Sequence, residues 1–407
     1  MRKLRFACCL LLLLPAVVAA QTKPKVRAIT AFVKLDPAHY QEQARAALDF
    51  LHKAKAEIER SGYEVMTIRI TTQPFPQYIK GASDEDALAF FHAWDQLAQK
   101  EGFDTSIGPA MMSDSDDPRM AEILGRVLAS AKTTEGSIII GGEDGIHWQS
   151  VAAAARLIKF LAERTPHSQG NFNFTASVMV PPLTPFYPAS YHLGEGKQFA
   201  IGLQSAGVVA DAFTGSRSPE AARQKLTAML GKHARIIEAA AKKVAAQTGW
   251  GYAGIDLSPA PLKEESIAGA IEKLTHARFG SSGTMTAVAA ITGALKDVPV
   301  QHAGYSGLML PVLEDSLLAQ RWGEGGISID SLLAYSAVCG TGLDTIPLPG
   351  SVSEEQLARM LGDVASLAIK WHKPLAARLL PVAGAKPGEM TSFDDPFLVN
   401  TKLWPLP

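Results

Sequence analysis

From Arg27 onward, strand-like apolar runs take turns with longer stretches whose apolar residues recur at helical spacing, and this alternation constrains the fold more than any other feature. The first run is Arg27 to Leu35. The helix after it spans about Pro37 to Arg60, with Phe50, Leu51, Ala54 and Ile58 on one face, and Gly62 stops it. Strand Tyr63 to Thr72, helices Asp84 to Lys100 and Pro118 to Ser130, strand Ser137 to Ile140 and helix His147 to Glu163 continue the rhythm. Ile138, Ile139 and Ile140 run without alternation into Gly141-Gly142, as in a parallel strand covered on both faces. Beyond a strand at Phe172 to Val180, Ser218 and Pro219 open an alanine-rich helix reaching about Gln247. Strand Tyr252 to Leu257, helix Thr284 to Leu295, a helix opened by Ser353 and Gln356 in capping-box spacing, and strand Ala377 to Val382 complete the pattern. With no repeat or low-complexity linker, residues 21–407 read as a single α/β domain, its active site expected at the carboxyl ends of parallel strands.

The amino terminus stands apart. Arg2, Lys3 and Arg5 precede an apolar run from Phe6 to Ala20 that ends in Val18-Ala19-Ala20, the form of a secretory signal over residues 1–20. The run is too short to span a bilayer, so no stable membrane insertion is expected after cleavage, and the mature protein is expected to be exported, periplasmic or secreted. Cleavage removes Cys8 and Cys9, leaving Cys339 as the single thiol and no intramolecular disulfide. Lys+Arg 39 against Asp+Glu 40 gives a formal charge of -1, which supplies no basic footprint for nucleic acid. Nothing in the sequence opposes a homo-oligomer.

Several chemistries lack their motifs. No glycine-rich loop ends in Gly-Lys-Ser/Thr, and Gly340-Thr341-Gly342-Leu343-Asp344-Thr345 fails the dinucleotide fingerprint. Leu308 occupies the final glycine position of a nucleophile elbow in Gly304-Tyr305-Ser306-Gly307, and Gly280-Ser281-Ser282-Gly283-Thr284 fails the same test. The ten histidines show no zinc spacing. No cofactor is identified, although the carboxylates are compatible with a divalent cation, so the metal assignment stays open.

Six segments remain as carriers of chemistry. Asp256 ends a strand just before Ser258-Pro259, where it can rim a pocket or cap a turn. Ser281, Ser282 and Thr284 open a helix and can cradle an anion or serve as a plain helix entry. Ser306 precedes the adjacent acids Glu314 and Asp315, of which only one can enter a given site. Cys339, Thr341 and Asp344 lie on a glycine-rich turn, where exposed N–H groups can activate a thiol or the cysteine can serve as a buried small hydrophobe. Arg378 suits a bidentate grip on a carboxylate or phosphate, or pairing with the acids above. His192, after the rigid loop Pro181-Pro182-Leu183-Thr184-Pro185-Phe186-Tyr187-Pro188, is the histidine best placed as acid or base, with a structural role as its alternative.

These blocks resemble a known family. Val180-Pro181-Pro182-Leu183-Thr184-Pro185-Phe186, Tyr191-His192, Gly254-Ile255-Asp256, Phe279-Gly280, the run Tyr305 to Asp315, Val338 to Thr345, and Arg378-Leu379 occur together and in order in the uncharacterised domain-of-unknown-function family 711. The resemblance covers nearly all of the mature chain and is most specific from about Gly251 to Gly388. It implies a fold similar to pyruvate formate-lyase and other glycyl radical enzymes: a large barrel of two parallel half-barrels surrounded by helices, around a central loop. By that likeness the Cys339 loop would approach the barrel centre with Asp344. The radical chemistry does not carry over, because no glycyl radical motif is present and Arg378-Leu379-Leu380-Pro381 does not replace it. A signal peptide also departs from the family pattern.

The sequence therefore points to an exported enzyme-like protein acting on a small anionic molecule by thiol and carboxylate acid/base chemistry. Cys339, Asp344, Asp256, Glu314 and His192 are its candidate catalytic residues, and Arg378, Ser281, Ser282, Thr284, Ser306 and Thr341 its candidate substrate contacts. The alternative is a non-catalytic protein that binds a metabolite or divalent cation through the same carboxylates.

Overall fold

A computed structural model describes residues 22–406; the expected signal segment 1–20 lies outside the described residues. The strands are β1 (Lys25–Val33), β2 (Val65–Thr72), β3 (Asp104–Pro109), β4 (Thr134–Gly142), β5 (Gly145–Ile146), β6 (Phe174–Val178), β7 (Gly196–Gln204), β8 (Gly251–Asp256), β9 (Gly342–Pro349) and β10 (Leu375–Val382). The helices are α1 (Tyr40–Arg60), α2 (Asp84–Glu101), α3 (Arg119–Ser130), α4 (Trp148–Arg164), α5 (Ala206–Phe213), α6 (Pro219–Thr248), α7 (Ile267–Thr275), α8 (Thr284–Lys296), α9 (Ser316–Gly323), α10 (Ile329–Ser336) and α11 (Glu354–Trp371).

The fold is mixed α/β around a ten-stranded sheet of order β8-β7-β1-β2-β3-β4-β6-β10-β9, with the short β5 paired only to β4. Strands β1, β2, β3, β4 and β6 run parallel at its centre. At each edge sits a pair running the other way: β7 is antiparallel to β1 and parallel to β8, while β10 is antiparallel to β6 and parallel to β9. Both outer strands also meet the irregular segment between α8 and α9, through parallel bridges Ile255–His302 and Pro311–Asp344.

The two faces of the sheet differ in chemistry, as the two-residue period of a strand allows. Ile29 and Ala31 of β1, Ile68 and Ile70 of β2, Ile138 and Ile140 of β4, Ala176 and Val178 of β6, and Ala377 and Leu379 of β10 join the main hydrophobic core with the helices. The alternate positions carry Thr30, Thr71, Ser106, Glu135 and Arg378, which belong to no hydrophobic cluster. Much of this polar face is covered by the proline-rich loop. Thr30 donates to the Pro185 carbonyl (3.0 Å), Ser106 to the Ser190 carbonyl (2.9 Å), and Thr71 bonds the hydroxyls of Tyr187 (3.0 Å) and Ser190 (2.8 Å). A buried hydroxyl needs such a partner, so an inward face of Thr and Ser demands a loop rather than an apolar helix above it.

Most expected elements appear within a few residues of their expected bounds, and the Ser353–Gln356 capping box is present at α11. The alternation misses β3, β7 and β9. β9 corrects the reading of Cys339, Thr341 and Asp344 as one glycine-rich turn, since Asp344 lies on a strand: it pairs in full with β10 alone, so Pro347 and Pro349 leave no ladder donor missing on a second neighbour.

Candidate functional site

Between the polar face, the proline-rich loop and the carboxyl-terminal segment lies a cavity of about 220 Å³. Its wall takes Arg27 from β1, Thr67 and Arg69 from β2, Asp104 from β3, Glu135 from β4, Thr175 from β6, Asp344 from β9 and Arg378 from β10. These positions fall toward the amino-terminal halves of the five parallel strands, not at the carboxyl ends where the sequence led us to expect a site. The proline-rich loop explains the inversion, since its bonds to Thr30 and Thr71 place it over the carboxyl halves of β1 and β2.

One end of the cavity is an alternating chain of buried charge. The Arg378 guanidinium donates through Nε to Asp344 Oδ1 (2.5 Å) and through Nη2 to Glu314 Oε1 (2.5 Å), and lies over the Phe172 ring. Arg27 approaches the other Glu314 oxygen at 3.8 Å and donates to Gln204 Oε1 (3.1 Å). Burial alone works against a charged Arg378, but Asp344 and Glu314 outweigh it and hold the guanidinium above its ordinary pKa. Burial pushes the Glu314 carboxyl up, with Arg378 and Arg27 pulling against it. Of the adjacent acids only Glu314 enters the cavity. Asp315 turns away to cap α9, accepting from the Leu317 (3.1 Å) and Leu318 (3.0 Å) amides.

At the other end Arg69 stands 3.7 Å from Asp104, and hydrogen bonds between the charged groups are missing among the described residues. Glu135 makes no hydrogen bond to the described residues and is raised from 4.5 to about 8 by burial, against the pull of Arg69. Arg69, only 8 % exposed, stacks 4.5 Å over the Tyr187 ring, and its Nε has no hydrogen-bond partner. The register brings these groups to one face: Arg69 pairs with Asp104, and Glu135 with Ser106, two residues further along β3. Sequence reasoning missed Arg69, Glu135 and Tyr305. The available signal was a charged residue at the inward phase of an otherwise apolar strand, as in Ile68-Arg69-Ile70.

The other candidates divide by location. Thr341 lines the cavity with its hydroxyl unpartnered. Asp256 does not line it. Its carboxylate accepts from the Ser258 hydroxyl (2.6 Å) and from the Tyr305 (2.8 Å) and Ser306 (3.0 Å) amides, so it fixes the turn that carries the Tyr305 ring to the wall. Gly304 is required there, because a Cβ at its φ of 59° would lie 2.2 Å from Asp256 Oδ2. Ser306 belongs to the same turn, donating to the Ala303 carbonyl (3.1 Å).

Cys339 packs in the main core at 1 % exposure and does not line the cavity, although its carbonyl accepts from Lys373 Nζ. The turn beside it is held where Gly340 presses on Gly307: a Cβ on Gly340 would lie 2.5 Å from the Gly307 backbone. His192 is fully buried against Phe32, bonds the Val33 carbonyl through Nε2 (2.9 Å), and is lowered in pKa by burial. Ser281 and Ser282 are exposed at the start of α8, and Thr284 accepts from the Gly280 amide (3.1 Å); none of the three lines the cavity. Among the described residues no group of three or more His, Cys, Asp and Glu side chains converges as a metal site. The cation that Glu314 and Asp344 share is the Arg378 guanidinium.

A solved structure of similar outline is the anaerobic ribonucleotide reductase from Thermotoga maritima in complex with dATP and CTP. It aligns with a TM-score of 0.45 and 9% identity over 93% of this chain and 79% of that one. Relatives include UPF0210 proteins from Pyrobaculum arsenaticum (31% identical, covering 83% of this chain and 78% of the relative) and Pyrobaculum aerophilum (31%, covering 89% and 86%). Another, from Bifidobacterium longum strain DJO10A, is 29% identical and covers 87% of this chain and 82% of its own length. The profile of the family described as Uncharacterised ACR (DUF711) matches residues 18–394, and the chain belongs to that family.

Proposed function

We propose that this protein is an enzyme acting on a small anionic molecule by carboxylate acid/base chemistry inside the charged cavity. The observation that carries the reading is Glu135: a carboxyl that lines the cavity, bonds none of the described residues and is pushed up to about 8 by burial is suited to exchange protons near neutral pH. Arg69 supplies positive charge beside it. The Arg27–Glu314–Arg378–Asp344 chain pairs its charges with one another and forms the wall at the other end. The thiol half of the sequence expectation is set aside, because Cys339 packs in the core rather than on the wall.

The cavity also bounds the ligand. At about 220 Å³ it is smaller than the roughly 300–1,000 Å³ typical of sites for drug-sized molecules, which favours a short metabolite over a nucleotide. We further propose that residues 302–311 close the sheet into a barrel as the fifth strand of a second half. Its parallel bridges to β8 and β9 support this reading. Export after cleavage at Ala20 remains part of the proposal, supported by the basic and apolar pattern of residues 1–20.

Thermal unfolding of the mature protein against small carboxylates, inorganic phosphate and divalent cations tests binding, and proton NMR of each stabilising compound in D2O tests chemistry. A compound at about 100 times its dissociation constant adds roughly 2.7 kcal/mol to stability. The proposal expects a shift with an anion, and exchange or conversion of its protons that Glu135→Gln abolishes. An anion that binds and returns unchanged points instead to the non-catalytic binding protein. A shift with cations alone overturns the reading.

A further inference from the structure

We propose that the Arg69 end of the cavity receives the carboxylate of a short aliphatic monocarboxylic acid, whose body lies on the apolar wall. This rests on the small-anion reading above and narrows it to a ligand class.

The first ground is the state of Arg69. A guanidinium taken out of water is costly unless its donors are met. Arg69 is 8 % exposed, its Nε has no hydrogen-bond partner, and its nearest carboxylate, Asp104, stands 3.7 Å away. The group is not loose. It stacks 4.5 Å over the Tyr187 ring, and Tyr187 is itself fixed by donating to the Ile70 carbonyl at 2.9 Å. A planar fork held in one orientation with open donors matches the two oxygens of a carboxylate. The other guanidiniums of the wall donate hydrogen bonds, Arg378 to two acids and Arg27 to Gln204, whereas Arg69 donates none to the described residues.

Charge weighs against a ligand of two negative units. The wall carries Arg27, Arg69, Lys132 and Arg378 against Asp104, Glu135, Glu314, Asp344 and Asp395. With Glu135 protonated the two signs balance, so a phosphate ester or a dicarboxylate would bring two uncompensated charges where a monocarboxylate brings one. Glu135 faces Arg69 from β2, Asp104 from β3, Arg378 from β10, Arg27 from β1, Glu314 from the segment before α9, and Tyr187 from the proline-rich loop. Above its own titration it adds a further negative charge, so the anion should bind more weakly there.

The apolar body has its own surface. Phe186, Ala189, Ala260, Met309 and Ala376 form a small cluster separate from the main core, and all five line the cavity. Tyr305 belongs to the same cluster. It is 9 % exposed, is pushed up in pKa by burial with Asp344 adding to the effect, and its hydroxyl bonds none of the described residues. The cavity of about 220 Å³ has room for a short chain.

Calorimetric titration of the mature protein with butanoate, acetate, succinate and inorganic phosphate tests this. Butanoate should bind roughly tenfold more tightly than acetate, the worth of two buried methylenes, and at least tenfold more tightly than succinate or phosphate. Arg69→Gln should remove butanoate binding, and Arg69→Lys, which keeps the charge but loses the fork, should weaken it tenfold or more. Wild-type affinity should fall above pH 8, while Glu135→Gln should bind with no such dependence. Tighter binding of phosphate or succinate overturns the monocarboxylate assignment and leaves the small-anion reading standing. Equal butanoate affinity in wild type and Arg69→Lys overturns the Arg69 site even if Arg69→Gln does not fold. Binding of none of the four overturns this inference, and the wider reading then rests on the broader anion panel.

Discussion

Arg378 and Glu135 stand at the same cavity and do opposite work. Arg378 is saturated by Asp344 and Glu314, so its removal leaves two buried carboxylates without their cation. Arg378→Met should therefore destabilise the protein by about 3–5 kcal/mol in denaturant unfolding, the usual cost of breaking a buried pair from one side. Glu135 should be read through its proton. It keeps that proton to about pH 8 in the native state but loses it near 4.5 when unfolded, so the native state binds more protons between those values. Its contribution to stability is full below the lower value and falls as pH rises through the higher one. The stability difference between wild type and Glu135→Gln, followed across pH 4 to 9, should shift against wild type over this window; a flat difference would show an ordinary carboxyl. From sequence, Asp344, Glu314 and Thr341 were legible as candidates because Gly, Pro and acidic residues crowd around them, and Arg378 as a partner for such acids. Glu135 and Arg69 were not, because a charged residue on a strand reads as solvent-facing until the covering loop is known.

At the scale of elements, the proline-rich loop and the crossing at Gly307 and Gly340 decide where the chemistry can be. The loop was legible as rigid from its prolines, but its destination depends on hydroxyls scattered over β1, β2 and β3, which no local pattern links. The glycine turn at Cys339 was legible as a close backbone approach; what it approaches is Gly307, not a ligand. Gly340→Ala would place a Cβ 2.5 Å from the Gly307 backbone, and overpacking of this kind costs typically 1–3 kcal/mol. Its melting temperature should fall, and the Thr341 and Asp344 side of the cavity should move with it. An unchanged melting temperature would mean that the two segments separate at little cost. The α/β alternation made β1, β2, β4 and β6 of the five central parallel strands legible, because their helix-facing sides are apolar. β9 escaped it because a strand with one full neighbour tolerates prolines that read as a loop.

Across the whole molecule, the sheet arranges its charges by direction: five parallel strands at the centre and a reversed pair at each edge bring distant segments to one polar face. If residues 302–311 close that sheet, their backbone bonds belong to the most protected set. The amides of Ile255, Ala303, Gly340 and Val312, which bond Gln301, Ile255, Leu308 and Asp344 at 2.8–3.0 Å, should exchange hydrogen only through near-global opening. Exchange at loop rates would leave the sheet open between β8 and β9. The most direct test of the central claim is a carbon-13 NMR titration of the mature protein with labelled glutamate carboxyls, from pH 4 to 10, beside Glu135→Gln. One glutamate should titrate near pH 8, and its signal should be absent from the variant. A wild-type spectrum in which Glu135 titrates near its ordinary value of 4.5 would contradict that claim.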